Sequence, residues 1–134
     1  MGTLACPFSA LPDPDPESPN CVKVVVDREN RALYFSRSLI PYPRQTDGQC
    51  VDLNAWYLHV GVYAYRKSFL LQLTTLPPTP LERTERLEQL RVIEHGHRIA
   101  VGIVAKAVPG IDTPAEYEAF VKRVAAQHGQ SLAK

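Results

Sequence analysis

The sequence predicts an α/β or α+β domain built on a mixed sheet, because strand-like and helix-like segments alternate through the second half of the chain. Three observations carry that prediction. The run "CVKVVVD" (Cys21 to Asp27) is β-branched and apolar, and after "RENR" it is followed by "ALYFS" (Ala32 to Ser36), the pattern of a hairpin. The strand-like "LHVGVYAYR" leads without a break into the helix-like "KSFLLQLTTL". The segment "LPPTPLERTERLEQLRVIEHG" carries every signal of one helix: Thr79 as N-cap, Pro80 at the first helical position, Glu82 closing a capping box, and Gly96 as the stop.

The remaining elements follow from the same rules. "MGTLACPF" reads as a short strand, and "SALPDPDPESPN" packs prolines, acids and serines into a loop that neither a helix nor a central strand tolerates. Arg37 to Tyr57 has two prolines, a Thr-Asp-Gly turn and no sustained period, so a long irregular segment is expected there. In the helix after Thr79, the residues Leu81, Leu87, Leu90 and Ile93 mark one apolar side. "HRIAVGIVA" (His97 to Ala105) reads as a buried strand and Pro114 to about Gln127 as a final amphipathic helix, capped by Thr113 with Glu116 three residues on.

Composition narrows the function classes. The 134 residues, 45% hydrophobic and 22% charged, suit one globular domain over 1–134, and a formal net charge of +1 supplies no field to draw nucleic acid or an anionic membrane. No apolar run approaches the roughly 18 residues of a membrane span, and no basic-then-apolar leader opens the chain. Cys6, Cys21 and Cys50 lie far apart with no paired spacing, which fits a reducing cytoplasm better than a disulfide or zinc framework.

A few residues stand out as carriers of chemistry. Arg37 ends the strand "ALYFS" and Arg44 follows across a proline-bridged loop, so two guanidiniums could converge on one anion. His59 and Tyr63 are four apart in a strand and share a face, with Gly61 leaving room for a ligand between them. Glu88 and Gln89 sit mid-helix between Leu87 and Leu90, where one of them must border the apolar side. "EHGH" resembles a metal site, but Gly96 falls where the helix stops, so His95 reads as a last-turn residue favoured by the helix dipole. Asp112 is left outside a helix start that is already capped, which makes it a candidate for a hard cation shared with a phosphate. No Ser-His-Asp or Cys-His signature and no glycine-rich phosphate loop is present.

Four segments, "NCVKVVVDRENRALYFSRSLIPYPR", "LHVGVYAYRKSFL", "PPTPLERTERLEQLRVIEHGHRIAV" and "PGIDTPAEYE", together resemble the C-terminal half of the 3-deoxy-manno-octulosonate (Kdo) cytidylyltransferases. That family activates Kdo as its CMP derivative for lipopolysaccharide synthesis. The resemblance implies the C-terminal half of a nucleotidyltransferase-type, Rossmann-like mixed sheet with flanking helices and a β-hairpin. It implies that Arg37 and Arg44 bind the Kdo acid, that His59, Tyr63, Glu88 and Gln89 line the same pocket, and that Asp112 is one of two aspartates holding Mg2+ at the nucleotide's phosphates. The reaction implied is attack of the Kdo anomeric hydroxyl on the α-phosphorus of CTP, with pyrophosphate leaving. A cytoplasmic homodimer, with no nucleic-acid partner and no membrane insertion, is implied as well.

Family members are about twice this long, and their nucleotide loop and second magnesium aspartate have no counterpart here. The chain is therefore expected to be a fragment, the acceptor-sugar and dimerisation half without the nucleotide-binding half, with little or no catalysis alone and an exposed apolar edge prone to self-association. The turn "PGID" is also shorter than in some relatives. Two other readings stand beside the enzyme: a non-catalytic sugar-acid-binding remnant or interaction module, and a cytidylyltransferase for another ulosonic acid.

Overall fold

Alternation along "GTLACP" puts Ala5 and Cys6 on opposite faces of the first strand, and both are fully buried, so this strand has apolar cover on each side. In a computed structural model, residues 1–12, 15–107, 114, 117, 118, 120–122, 124 and 125 are described. The strands are β1 (Gly2–Pro7), β2 (Lys23–Val26), β3 (Ala32–Ser36), β4 (Tyr57–Ala64) and β5 (Ala100–Ile103). They form one mixed sheet in the order β3-β2-β4-β1-β5, with β1 and β5 parallel and the other pairs antiparallel. The mixed sheet and the hairpin are as the sequence predicts, and β4 leads directly into helix α1 (Lys67–Leu73).

The sheet carries a core on each face. Ala5, Val24, Phe35 and Val101 meet Leu87, Leu90 and Val92 on the helical side, and Phe69 and Leu73 of α1 pack against the same cluster. On the other side Cys6, Phe8, Leu11, Trp56 and Leu58 form a second cluster, with Leu39, Cys50 and Leu53 against it. Burial of each large side chain such as Phe8, Phe35 or Leu90 contributes roughly 1.5–3 kcal/mol. The second cluster explains why the segment from Arg37 to Trp56 is irregular yet built in. Its apolar residues have their own core to fill, and Trp56 Nε1 donates to Pro41 O at 2.9 Å.

The helix expected from Thr79 to Gly96 is two helices, α2 (Pro80–Glu85) and α3 (Gln89–Glu94). Thr79 and Pro80 start α2 as predicted, and Glu82 Oε2 accepts the Thr79 N–H at 3.3 Å. The chain then turns at Arg86, whose φ of 55° and ψ of 46° are left-handed. The break leaves Leu81 exposed and lets Leu87, Leu90 and Val92 enter the core together. Glu82 bridges the break: Arg91 Nε of α3 donates to its Oε2 at 2.8 Å, and Arg91 Nη2 donates to Oε1. Glu88 and Gln89 are consequently at the start of α3 and not mid-helix. Gly96, at φ 76°, ends α3 as expected.

Strand β5 is shorter than the run His97 to Ala105 suggested. Pro114 and Ala125 are helical, as the final helix requires, while Asp112, Thr113 and Glu116 lie outside the described residues. Among the described residues, no helix is long and apolar enough to cross a membrane.

Left-handed backbone costs a non-glycine residue roughly 1–2 kcal/mol, and the gain from glycine is partly offset by unfolded-chain entropy. Arg86→Gly is therefore expected to leave stability unchanged or raise it by up to about 1 kcal/mol in urea denaturation. A clear loss would show instead that Arg86 is helical and that α2 and α3 are continuous.

Candidate functional site between β4 and α3

His59 and Tyr63 project from β4 on the helical side of the sheet, their ring centroids 5.4 Å apart, with Phe35 edge-on to His59 at 4.9 Å. They share a face as the sequence predicts, although the strand between them is not regular. From Thr3 to Ala5 on β1 the partner positions run from Tyr63 to His59 on β4, so β4 carries the longer stretch and bulges. Gly61 supplies the φ of 75° that the bulge needs, and a side chain there would meet nothing within 4 Å.

The bulge brings Val62 O over β1. Thr3 Oγ1 donates to Val62 O at 2.8 Å and lies 2.9 Å from His59 Nε2. A hydroxyl has one proton, and it is committed to Val62 O, so the Thr3 oxygen accepts from an Nε2–H and the assigned tautomer leaves Nδ1 as an acceptor. Burial lowers the His59 pKa to about 4 against a smaller opposing effect of Glu88, so the ring is neutral at pH 7.

Glu88, exposed at the N-cap of α3, faces these rings. Tyr63 is held well above the ordinary phenol range, first by burial and then by the nearby Glu88 carboxylate. Tyr65 is raised for the same two reasons. Gln89 is 2% exposed, and its Oε1 has no hydrogen-bond partner among the described residues. A cleft of ≈ 310 Å³ opens beside Thr3, Val62 and Tyr63.

The structure thus brings Glu88 beside His59 and Tyr63, and Gln89 is the buried residue that follows it in the chain. It sets the two arginines differently. Arg37 follows β3 and is tied to α2: its Nε donates to Glu85 O at 2.8 Å and its Nη1 to Pro19 O at 2.9 Å, leaving Nη2 as a further donor. Arg44 stands exposed on the short turn Arg44–Thr46, and its guanidinium makes no ion pair among the described residues. Asp112 lies outside the described residues. No group of three or more His, Cys, Asp or Glu that could hold a metal occurs among the described residues, and His95 instead lies 3.3 Å from Pro77 O.

Sequence reasoning missed Thr3, Tyr65, Lys23 and Glu85. The link from Thr3 to His59 depends on a strand register that no local pattern encodes, whereas a lysine inside the apolar run "VKVVV" was a visible irregularity.

A family model described as cytidylyltransferase matches residues 13–99. The chain belongs to the cytidylyltransferase family. Among curated members, the 3-deoxy-manno-octulosonate cytidylyltransferase of Syntrophobacter fumaroxidans is 50% identical over 121 residues, covering 90% of this chain and 46% of that protein. The protein of the same name from Rhodopirellula baltica is 45% identical over 134 residues, covering 95% of this chain and 51% of its own. A solved structure of CMP:2-keto-3-deoxy-manno-octonic acid synthetase complexed with CTP aligns with a TM-score of 0.76 and 41% identity, over 95% of this chain and 49% of that one. The chain spans about half the length of these cytidylyltransferases. The part of that solved structure which aligns with this chain shares the mixed α/β sheet with flanking helices described above.

The neutral His59 has a consequence for stability. Between pH 6.5 and about 4 the unfolded chain binds a proton that the native ring refuses, so stability falls as pH falls through that window. The ceiling on this effect is roughly 3 kcal/mol. The urea midpoint is expected to drop between pH 7 and pH 5, and His59→Gln should flatten that drop. An equal drop in the variant would show that the ring is not buried in its neutral form.

Proposed function

We propose that this chain forms the acceptor-sugar part of a cytidylyltransferase that transfers CMP from CTP to Kdo, giving CMP-Kdo and pyrophosphate. The observation that carries the reading is Gln89: a buried amide oxygen with no partner among the described residues, next in sequence to Glu88 and one helix start away from a neutral His59. A buried acceptor left unpaired costs about 1–3 kcal/mol, and a polyhydroxylated ligand would supply the missing donor. The names of the relatives support Kdo as that ligand, and the CTP complex of the structural neighbour supports CTP as the nucleotide.

In this reading the Nη2 side of Arg37, joined by Arg44 from the loop, grips the sugar carboxylate by charge-assisted hydrogen bonds. His59, Glu88 and Gln89 take the sugar hydroxyls, with Tyr63 packed beside His59. The anomeric oxygen then attacks the α-phosphorus and pyrophosphate departs, so the residues of this chain serve by orienting the nucleophile. For magnesium, the support is the donor chemistry of Asp112: a single hard carboxylate ahead of a helix start suits an ion completed by phosphate oxygens and water. When bound, the ion would offset negative charge on the phosphates.

Cytoplasmic lipopolysaccharide synthesis is the setting proposed, supported by the wide spacing of Cys6, Cys21 and Cys50 in the sequence, which shows no paired-thiol motif. The exposed Leu33 on edge strand β3 supports a homodimer that uses the hairpin and the loop after it.

Calorimetry with Kdo tests the reading directly. Arg37→Ala and Gln89→Leu should each weaken Kdo binding by roughly ten- to a hundredfold, the value of one hydrogen bond to or from a charged or buried group. Unchanged affinity in both variants would refute the site. Pyrophosphate release from CTP, Kdo and Mg2+ separates transfer from binding alone: Kdo binding without release would favour the non-catalytic module.

A further inference from the structure

Lys23 of β2 is fully buried, which is rare for an ammonium and costs several kcal/mol unless partners compensate. Its Nζ donates to Ser18 O at 2.9 Å and to Arg37 O at 2.6 Å. Across from it, the Glu85 carboxylate at the end of α2 accepts Ser36 Oγ–H at 2.6 Å and Arg37 N–H at 3.0 Å. The two polar groups of Arg37's own backbone are therefore held by opposite full charges that come from different elements. Its side chain is fixed in turn by Glu85 O and Pro19 O, and Ser18 and Pro19 belong to the stretch that Lys23 itself anchors.

Anchoring a loop does not by itself require a buried cation, since a neutral donor serves a carbonyl at lower desolvation cost. What the charges add is stiffness at one residue. A backbone held at both ends and a guanidinium held along one edge leave Arg37 little freedom, so its remaining donors stay where a ligand meets them, with the ordering cost met on folding and not on binding.

We infer that Lys23 and Glu85 are positioning residues that preorganise Arg37 for the carboxylate of an α-keto sugar acid. The inference rests on the sugar-acid reading of Arg37. Burial lowers the Lys23 pKa, and Cys21, Asp15 and Glu85 nearby act against that effect.

The test uses the chain with two probes, Kdo and Kdo with its C1 carboxylate converted to the carboxamide. Lys23→Met, checked for fold by circular dichroism, is expected to lose about tenfold in Kdo affinity with about twofold or less for the carboxamide, because only the charged contact needs a fixed Arg37. Glu85→Gln keeps an acceptor in place and should lose less, in the same direction; if Lys23→Met fails to fold, this variant decides. Equal losses for both probes, or no loss for Kdo, would overturn the inference. If Arg37→Ala also leaves Kdo binding unchanged, the sugar-acid reading itself fails. If Arg37→Ala weakens binding while both positioning variants keep wild-type affinity, only the inference falls.

Discussion

The pairing of β1 on both of its edges is the constraint from which the rest of the structure follows. β1 lies between antiparallel β4 and parallel β5, and successive residues Ala5 and Cys6 enter the two separate cores. Without it the sheet would divide, since the backbone pairing left between β5 and the hairpin among the described residues is the isolated bridge of Arg31 with Ala100. The same strand supplies Thr3 to His59, so the segment that joins the cores also sets the chemistry of the ring.

The site is then a matter of two irregularities that cooperate. In β4 the bulge at Gly61 adds an even number of residues, which preserves alternation and keeps His59 and Tyr63 on one face. In the helical layer the left-handed turn at Arg86 lets α3 start afresh, with Glu88 exposed toward the rings and Gln89 buried next to it in the chain. Both irregularities are held by neighbours. The Glu82 to Arg91 pair spans the helix break, and Thr3 to Val62 O spans the bulge.

Much of this was legible in the residues. The strands, the hairpin turn, the helix start at Thr79 and the stop at Gly96 rest on local rules, and the structure follows them. The shared face of His59 and Tyr63 was readable because the bulge happens to conserve parity. What could not be read depends on distant partners. Propensity favours one continuous helix through Arg86, and only the packing of Leu87, Leu90 and Val92 against the sheet makes two better. Thr3 and Glu85 look ordinary in sequence because their partners lie far along the chain, whereas Lys23 stands out in its apolar run. Arg37 and Arg44 read as a matched pair, but in the fold one is braced against α2 and the other stands in solvent.

The single proton of Thr3 has one more consequence. By spending it on Val62 O, the threonine fixes the sense of every hydrogen bond that His59 can offer. Nδ1 of His59, Oε1 of Gln89 and the Glu88 carboxylate are then all lone-pair groups, while the Arg37 guanidinium on the loop side only donates. The ring therefore offers a neighbour a lone pair at Nδ1 and no proton, while the Arg37 guanidinium offers protons and no lone pair.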